Sequence, residues 1–284
     1  MREPPLSTGH RPLSTPPSLL AIDVGNSRIK LGLFHGDAPS SPPGALPDFS
    51  RTAAVAVDAD VPWGEIRGWI GVSDAATGIV AGTNPAGVRK VLDGWPAGWR
   101  AARVLDDPRE VPLQVDLPEP GKIGIDRLLN AVAANAIRPP DRPAIIVDTG
   151  TATTVDVLST EGKFQGGAIL PGFQLSARAL HRYTALLPLI GIDELAHEPH
   201  PPLGQNTRAA LRSGLFWGQL GAVKELIARL SVGEKEPALF LTGGGGPLLA
   251  PHLPHARHEP HLGLRGLALS ARGRLDCDPP SGEC

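Results

Sequence analysis

Leu19-Leu20-Ala21-Ile22-Asp23-Val24-Gly25-Asn26-Ser27 and Ala144-Ile145-Ile146-Val147-Asp148-Thr149-Gly150-Thr151-Ala152-Thr153 follow one pattern. Each is an apolar run of strand length that ends in Asp-x-Gly and a small polar turn. Each then resumes as a second strand, Ile29 to Phe34 in the first copy and Thr154 to Leu158 in the second. Glycine at such a turn lets main-chain N–H groups approach oxygen anions, and the strand-end aspartate can hold a cation or its water. Either copy alone reads equally well as a β-hairpin whose Asp and Gly make the turn. The repetition favours phosphate binding, because two copies facing each other bracket one nucleotide.

Working outward, the spacing predicts a strand at Trp69 to Val72 and a helix at Pro85 to Leu92, with Asn84 as its start signal. A clearer helix runs from Ile123 to Ile137, where Ile125, Leu128, Leu129, Val132 and Ala136 form an apolar stripe. After the second repeat come Gln165 to Gly172, a helix from Leu175 to about Leu187, and a long helix over 207–230 with a bend at Gly218 or Gly221. Pro237 to Leu241 reads as a strand entering Thr242-Gly243-Gly244-Gly245-Gly246. Hairpin, helix, strand and helix occur roughly twice, which predicts an α/β protein of two similar halves with a cleft between them. The expected division is a Pro-rich disordered tail over 1–17, a first half over 18–122, a second half over 123–275 and a flexible tail over 276–284. Residues 37–50 read as a loop.

Charge nearly balances, with 27 basic and 29 acidic residues, so nothing indicates a bulk electrostatic grip on nucleic acid. No apolar stretch reaches membrane-spanning length, and the N-terminus lacks a signal-peptide core. The two cysteines, Cys277 and Cys284, are too few for a disulfide scaffold or a structural zinc site. These features predict a cytoplasmic protein.

Three glycine turns follow apolar strands, at Gly25, Gly150 and Gly243, and two of them carry strand-end aspartates. No Walker motif, protein-kinase catalytic loop or dinucleotide fingerprint is present. A further candidate is Gly124-Ile125-Asp126-Arg127. An acid in a first helical turn is favoured by the helix dipole alone. The functional alternative has Asp126 accept a hydrogen bond, then a proton, from a substrate hydroxyl, while Arg127 holds an anionic group. His252, His255, His258 and His261 are interrupted by prolines and read as a solvated loop.

Four motifs in order resemble those of the type III pantothenate kinases, a family of the acetate and sugar kinase/Hsp70/actin superfamily. They are Asp23-Val-Gly-Asn-Ser27, Gly124-Ile-Asp-Arg127, Asp148 to Thr154 and Gly166 to Gly172. Weaker matches are Thr184 to Pro188 and Asn206-Thr207 ahead of Gly214. The resemblance implies two ribonuclease H-like, actin-like halves and ATP-dependent phosphorylation of pantothenate at its primary hydroxyl, the first step toward coenzyme A. It implies that Asp23, Val24, Gly25, Asn26, Ser27, Arg28, Ile29 and Lys30 form the ATP phosphate turn, with Thr151 also on ATP. It implies that Gly124, Ile125, Asp126 and Arg127 contact pantothenate, with Asp126 the proton acceptor. Asp148 matches a monovalent-cation ligand, for potassium or ammonium, and Mg²⁺ accompanies ATP. Thr207 matches a threonine that reaches pantothenate from the partner subunit, which implies a homodimer. The aromatic residue usual seven positions before the motif glycine is Leu117 here. The alternatives are another phosphotransferase of the superfamily, acting on a sugar or acetate, and a non-catalytic transcriptional accessory factor.

Overall fold

The computed structural model describes residues 18–34, 44–70, 76–196, 201–231, 233 and 235–275. The expected tails over 1–17 and 276–284, both cysteines, and part of the 37–50 loop lie outside the described residues.

Five strands form the first sheet: β1 (Leu19–Val24), β2 (Arg28–Phe34), β3 (Phe49–Ala56), β4 (Thr77–Gly82) and β5 (Arg103–Leu105), in the order β3-β2-β1-β4-β5. Five more form the second: β6 (Ala144–Thr149), β7 (Ala152–Leu158), β8 (Phe164–Pro171), β9 (Ala238–Thr242) and β10 (Ala256–His258), in the order β10-β9-β6-β7-β8. The directions match as well as the order. β1 pairs antiparallel with β2 and parallel with β4, as β6 does with β7 and β9. The repeat read from the sequence is therefore a repeat of topology.

Central strands covered on both faces read as continuous apolar runs rather than alternating ones, as β1 and β6 do. On one face of β1, Leu20, Ile22 and Val24 join a core with Ile66 of α1 (Trp63–Ile70) and Val91 of α2 (Pro85–Asp93). On one face of β6, Ile145 and Val147 join a core with α4 (Phe173–Arg182) and α6 (Thr207–Leu230). The opposite faces of both strands meet a shared core built on α3 (Ile125–Ile137) and α8 (Leu262–Leu275).

α3 follows β5 and α8 follows β10, so the two helices hold equivalent places and pack on each other between the sheets. Their approach is close: a Cβ at Gly266 would overlap the Leu129 carbonyl oxygen. Leu128 and Leu129 are fully buried there, each contributing about 1.5–3 kcal/mol of transfer free energy. α8 also lies on β1, β2 and β4, so the last helix among the described residues covers the first sheet.

Several sequence expectations need correction. Trp69 and Ile70, read as the start of a strand, end helix α1, because Trp63, Ile66 and Ile70 supply the helical period and Ile66 is fully buried. Val72 lies outside the described residues. α4 stops at Arg182, short of Leu187; the long helix expected over 207–230 is α6, with Phe216, Leu220 and Val223 buried along it. The histidine-rich stretch carries strand β10, held parallel to β9, rather than a solvated loop throughout. The Pro85 helix is as expected, and Asn84 caps it by accepting a hydrogen bond from the Gly87 N–H at 3.0 Å.

Candidate active site

Side chains alternate along a strand, so Asp23 shares a face with Leu19 and Ala21, and Asp148 shares one with Ala144 and Ile146. All four apolar residues belong to the core around α3 and α8. Both strand-end aspartates therefore aim at the layer between the sheets, from opposite sides. Asp126 enters the same space from the first turn of α3.

The charges of these groups act on one another across a common space. Lys30, opposite Asp23 in the β1–β2 register, holds Asp23 at 3.3 Å. Its ammonium is held above the usual lysine range by Asp23 first, against burial, with Asp148 and Asp126 adding to the effect. Burial pushes Asp126 up to about 6; the Arg127 N–H, donating at 2.9 Å, opposes this, and the charges of Asp23, Asp148 and Asp156 reinforce it. Burial also raises Asp148, against Lys30 and the Asn130 amide, which donates to its Oδ2 at 2.7 Å. One lysine thus faces three carboxylates, an excess of negative charge that a bound cation would offset.

The turns differ by one residue. Asp23 stands opposite Lys30 in the first half, whereas Asp148 stands opposite Thr154 in the second. Their tips nevertheless meet, with Ser27 Oγ and Thr151 Oγ1 2.7 Å apart. Asn26, Ser27, Arg28 and Thr151 are exposed, as a phosphate-facing edge requires. Val24, Ile29 and Ile125 bury their side chains in the core, so they can offer the site only main-chain groups. Gly243 closes the third turn with φ +88°, a left-handed backbone where a Cβ would overlap Asp148 Oδ1.

Within this chain Arg127 is paired with another side chain, and Thr207 lies apart from the carboxylates. The Arg127 guanidinium is engaged by Asp156: Nε donates to Oδ1 at 3.0 Å and Nη2 to the same oxygen. The Phe164 ring lies 5.5 Å beneath it. Leu117 comes near the same place because residues 114–116 run along β8, with the Phe164 N–H donating to the Gln114 carbonyl and the Asp116 N–H to the Phe164 carbonyl. A Cβ on Gly166 would sit 3.4 Å from Leu117. Thr207 is not brought to the carboxylates; at the exposed start of α6 it lines a separate cavity of about 560 Å³ with Leu170, Leu180 and Leu187.

Asp156 and Asn130 escaped the sequence reading. Both signals were present. Asp156 interrupts the apolar run Val155 to Leu158, and Asn130 lies four residues after Asp126 on the same helical face.

The donor set suits a hard cation. Among the described residues no three His, Cys, Asp or Glu side chains converge on a point that could hold a metal ion.

A family model described as type III pantothenate kinase matches residues 19–229. A protein named type III pantothenate kinase from Acidiphilium cryptum is 35% identical over 266 residues, covering 89% of this chain and 93% of its own length. One of the same name from Rhodococcus jostii is 35% identical over 263 residues, covering 88% and 93%. Among solved structures, a putative 2-dehydro-3-deoxygalactonokinase from Sinorhizobium meliloti superposes with a TM-score of 0.55 at 16% identity, over 90% of this chain and 98% of that one. The fold is thus that of the actin-like ATPases. With matching motifs, duplicated topology and a shared carboxylate centre, this chain belongs to the type III pantothenate kinase family.

Proposed function

We propose that the carboxylate centre performs the reaction for which the family is named, with Asp126 as the acceptor of the substrate proton. The protein transfers the γ-phosphoryl group of ATP to pantothenate, the opening step of coenzyme A synthesis. Asp126 has the features of that role: it opens a helix in the cleft, and burial and neighbouring charge hold its carboxyl near 6, so it is ionised yet basic at neutral pH. Phosphoryl transfer is largely dissociative, so orienting the attacking oxygen matters more than strong proton abstraction.

The turn from Asp23 to Lys30, with Thr151 facing it, receives the ATP phosphates. Lys30 offsets their charge, and Gly124 to Arg127 receive pantothenate. Magnesium entering with ATP supplies neutralisation of phosphate charge. Asp148 is the ligand for a monovalent cation, potassium or ammonium, in keeping with its burial beside a single lysine.

The protein works as a homodimer in the cytoplasm, with Thr207 serving the partner's pantothenate site. Supporting this, the large apolar side chains exposed among the described residues all lie between 169 and 217, including Ile169, Tyr183, Leu186 and Trp217. That stretch contains Thr207. No helix among the described residues is long and apolar enough to cross a membrane.

The test is Asp126→Asn. Calorimetry is expected to show retained ATP binding, while coupled ADP release with pantothenate falls by orders of magnitude. Near-normal turnover removes Asp126 from the mechanism.

A further inference from the structure

We infer that Asp156 is a positioning residue that holds the Arg127 guanidinium in the one orientation presenting its free edge to a carboxylate of the acceptor substrate. This rests on the reading above that Arg127 faces pantothenate, whose carboxylate is the anionic group at issue.

Asp156 sits on β7 facing the shared core, and its side chain is only 1% exposed. It therefore does not touch substrate. Arg127 is 16% exposed and reaches the edge of the site. Both Nε and Nη2 donate to a single oxygen, Asp156 Oδ1, and the Phe164 ring supports one face of the guanidinium. One edge and one face are thereby fixed, and Nη1 remains for an incoming anion. Two-point fixing of a planar fork is what bidentate anion recognition needs.

The surroundings explain why an anchor is required. Asp126 adjoins Arg127 in sequence, and Asp23 and Asp148 share the centre. An unanchored guanidinium would pair with one of these, most readily Asp126, and would remove both the anion site and the free base. Asp156 outcompetes them by geometry. Buried ion pairs contribute little net stability even when fully satisfied. Holding direction is the better account of so costly an arrangement.

The experiment compares Asp156→Asn, Arg127→Gln and the double variant in steady-state kinetics, with thermal melting as the folding control. Asparagine keeps the size and the acceptor oxygen but not the charge. For Asp156→Asn the expected result is a KM for pantothenate raised about tenfold or more, with the KM for ATP within about twofold. The double variant should be no worse than Arg127→Gln alone, since the two act as one unit. With the neutral alcohol analogue of pantothenate, wild type and Asp156→Asn should perform alike. Multiplying losses in the double variant, or equal losses on both substrates, overturn the inference. So does an unchanged KM for pantothenate in Asp156→Asn while Arg127→Gln raises it. An unchanged KM in Arg127→Gln instead overturns the reading that Arg127 faces substrate, and the inference with it.

Discussion

The hydroxyls of Ser27 and Thr151 lie 2.7 Å apart although 124 residues separate them in the chain. Each sits at the tip of one copy of the repeated strand-turn-strand unit, so the two halves touch at the turns proposed to receive the ATP phosphates. The pair is exposed, and a neutral hydrogen bond of that kind contributes about 0.5–1 kcal/mol. Polyphosphate oxygens offer both hydroxyls a stronger, charge-assisted partner.

Ser27→Ala and Thr151→Ala should therefore leave the melting temperature within about 2 °C of wild type while raising the KM for ATP about tenfold. Thermal melting and ADP-release kinetics check both halves of that statement. A fall in stability with unchanged KM would assign the pair a structural role only.

The rate should depend on an ionised Asp126. Its carboxyl titrates near 6 because burial disfavours the charge, so the acid limb of kcat/KM for pantothenate should bend at about that pH. Below it the group is protonated and cannot receive the substrate proton. A pH-rate profile with its acid limb near 4 would contradict the assignment.

The same shift has an opposite sign for stability. The folded state binds this proton more tightly than the unfolded chain, so this group's contribution to stability is greatest below pH 4 and declines as pH rises through about 6. Asp126→Asn removes the cost of the buried charge, on the order of 3 kcal/mol. The variant should melt several degrees higher than wild type at pH 7 while being inactive. Differential scanning calorimetry at pH 5 and 7 measures the gap, which should narrow at the lower pH.

Association can be tested separately from chemistry. Tyr183 and Leu186 are 80% and 90% exposed, far from the pattern expected of large apolar side chains on a solitary surface. Leu186→Asp with Tyr183→Asp should shift sedimentation from dimer to monomer and lower turnover, since Thr207 would then lack its partner's substrate. A monomeric wild type refutes this.

The duplicated Asp-x-Gly units were legible because a continuous apolar strand ending in the same acid-glycine turn occurs twice, where one copy alone would read as an ordinary hairpin. Helix α3 was legible because Ile125, Leu128, Leu129 and Val132 mark one face. Trp69 and Ile70 misled because bulky apolar residues suit a strand locally, and only Ile66 and Trp63, read together with them, reveal the helical period. Asp156 and Asn130 left local signals, an acid within an apolar run and an amide on the face of Asp126, that did not reveal their roles. Their importance arises from partners, Arg127 and Asp148, that are 29 and 18 residues away, and no local spacing encodes that encounter.

The placement of α8 over β1, β2 and β4 bears on how the chain is made. One flank of the first sheet exposes Leu19, Ala21 and Phe34 until residues past Leu262 emerge from the ribosome. The N-terminal half therefore waits, incompletely sealed, until α8 has been made and has docked, and its maturation is bound to that helix rather than to its own completion.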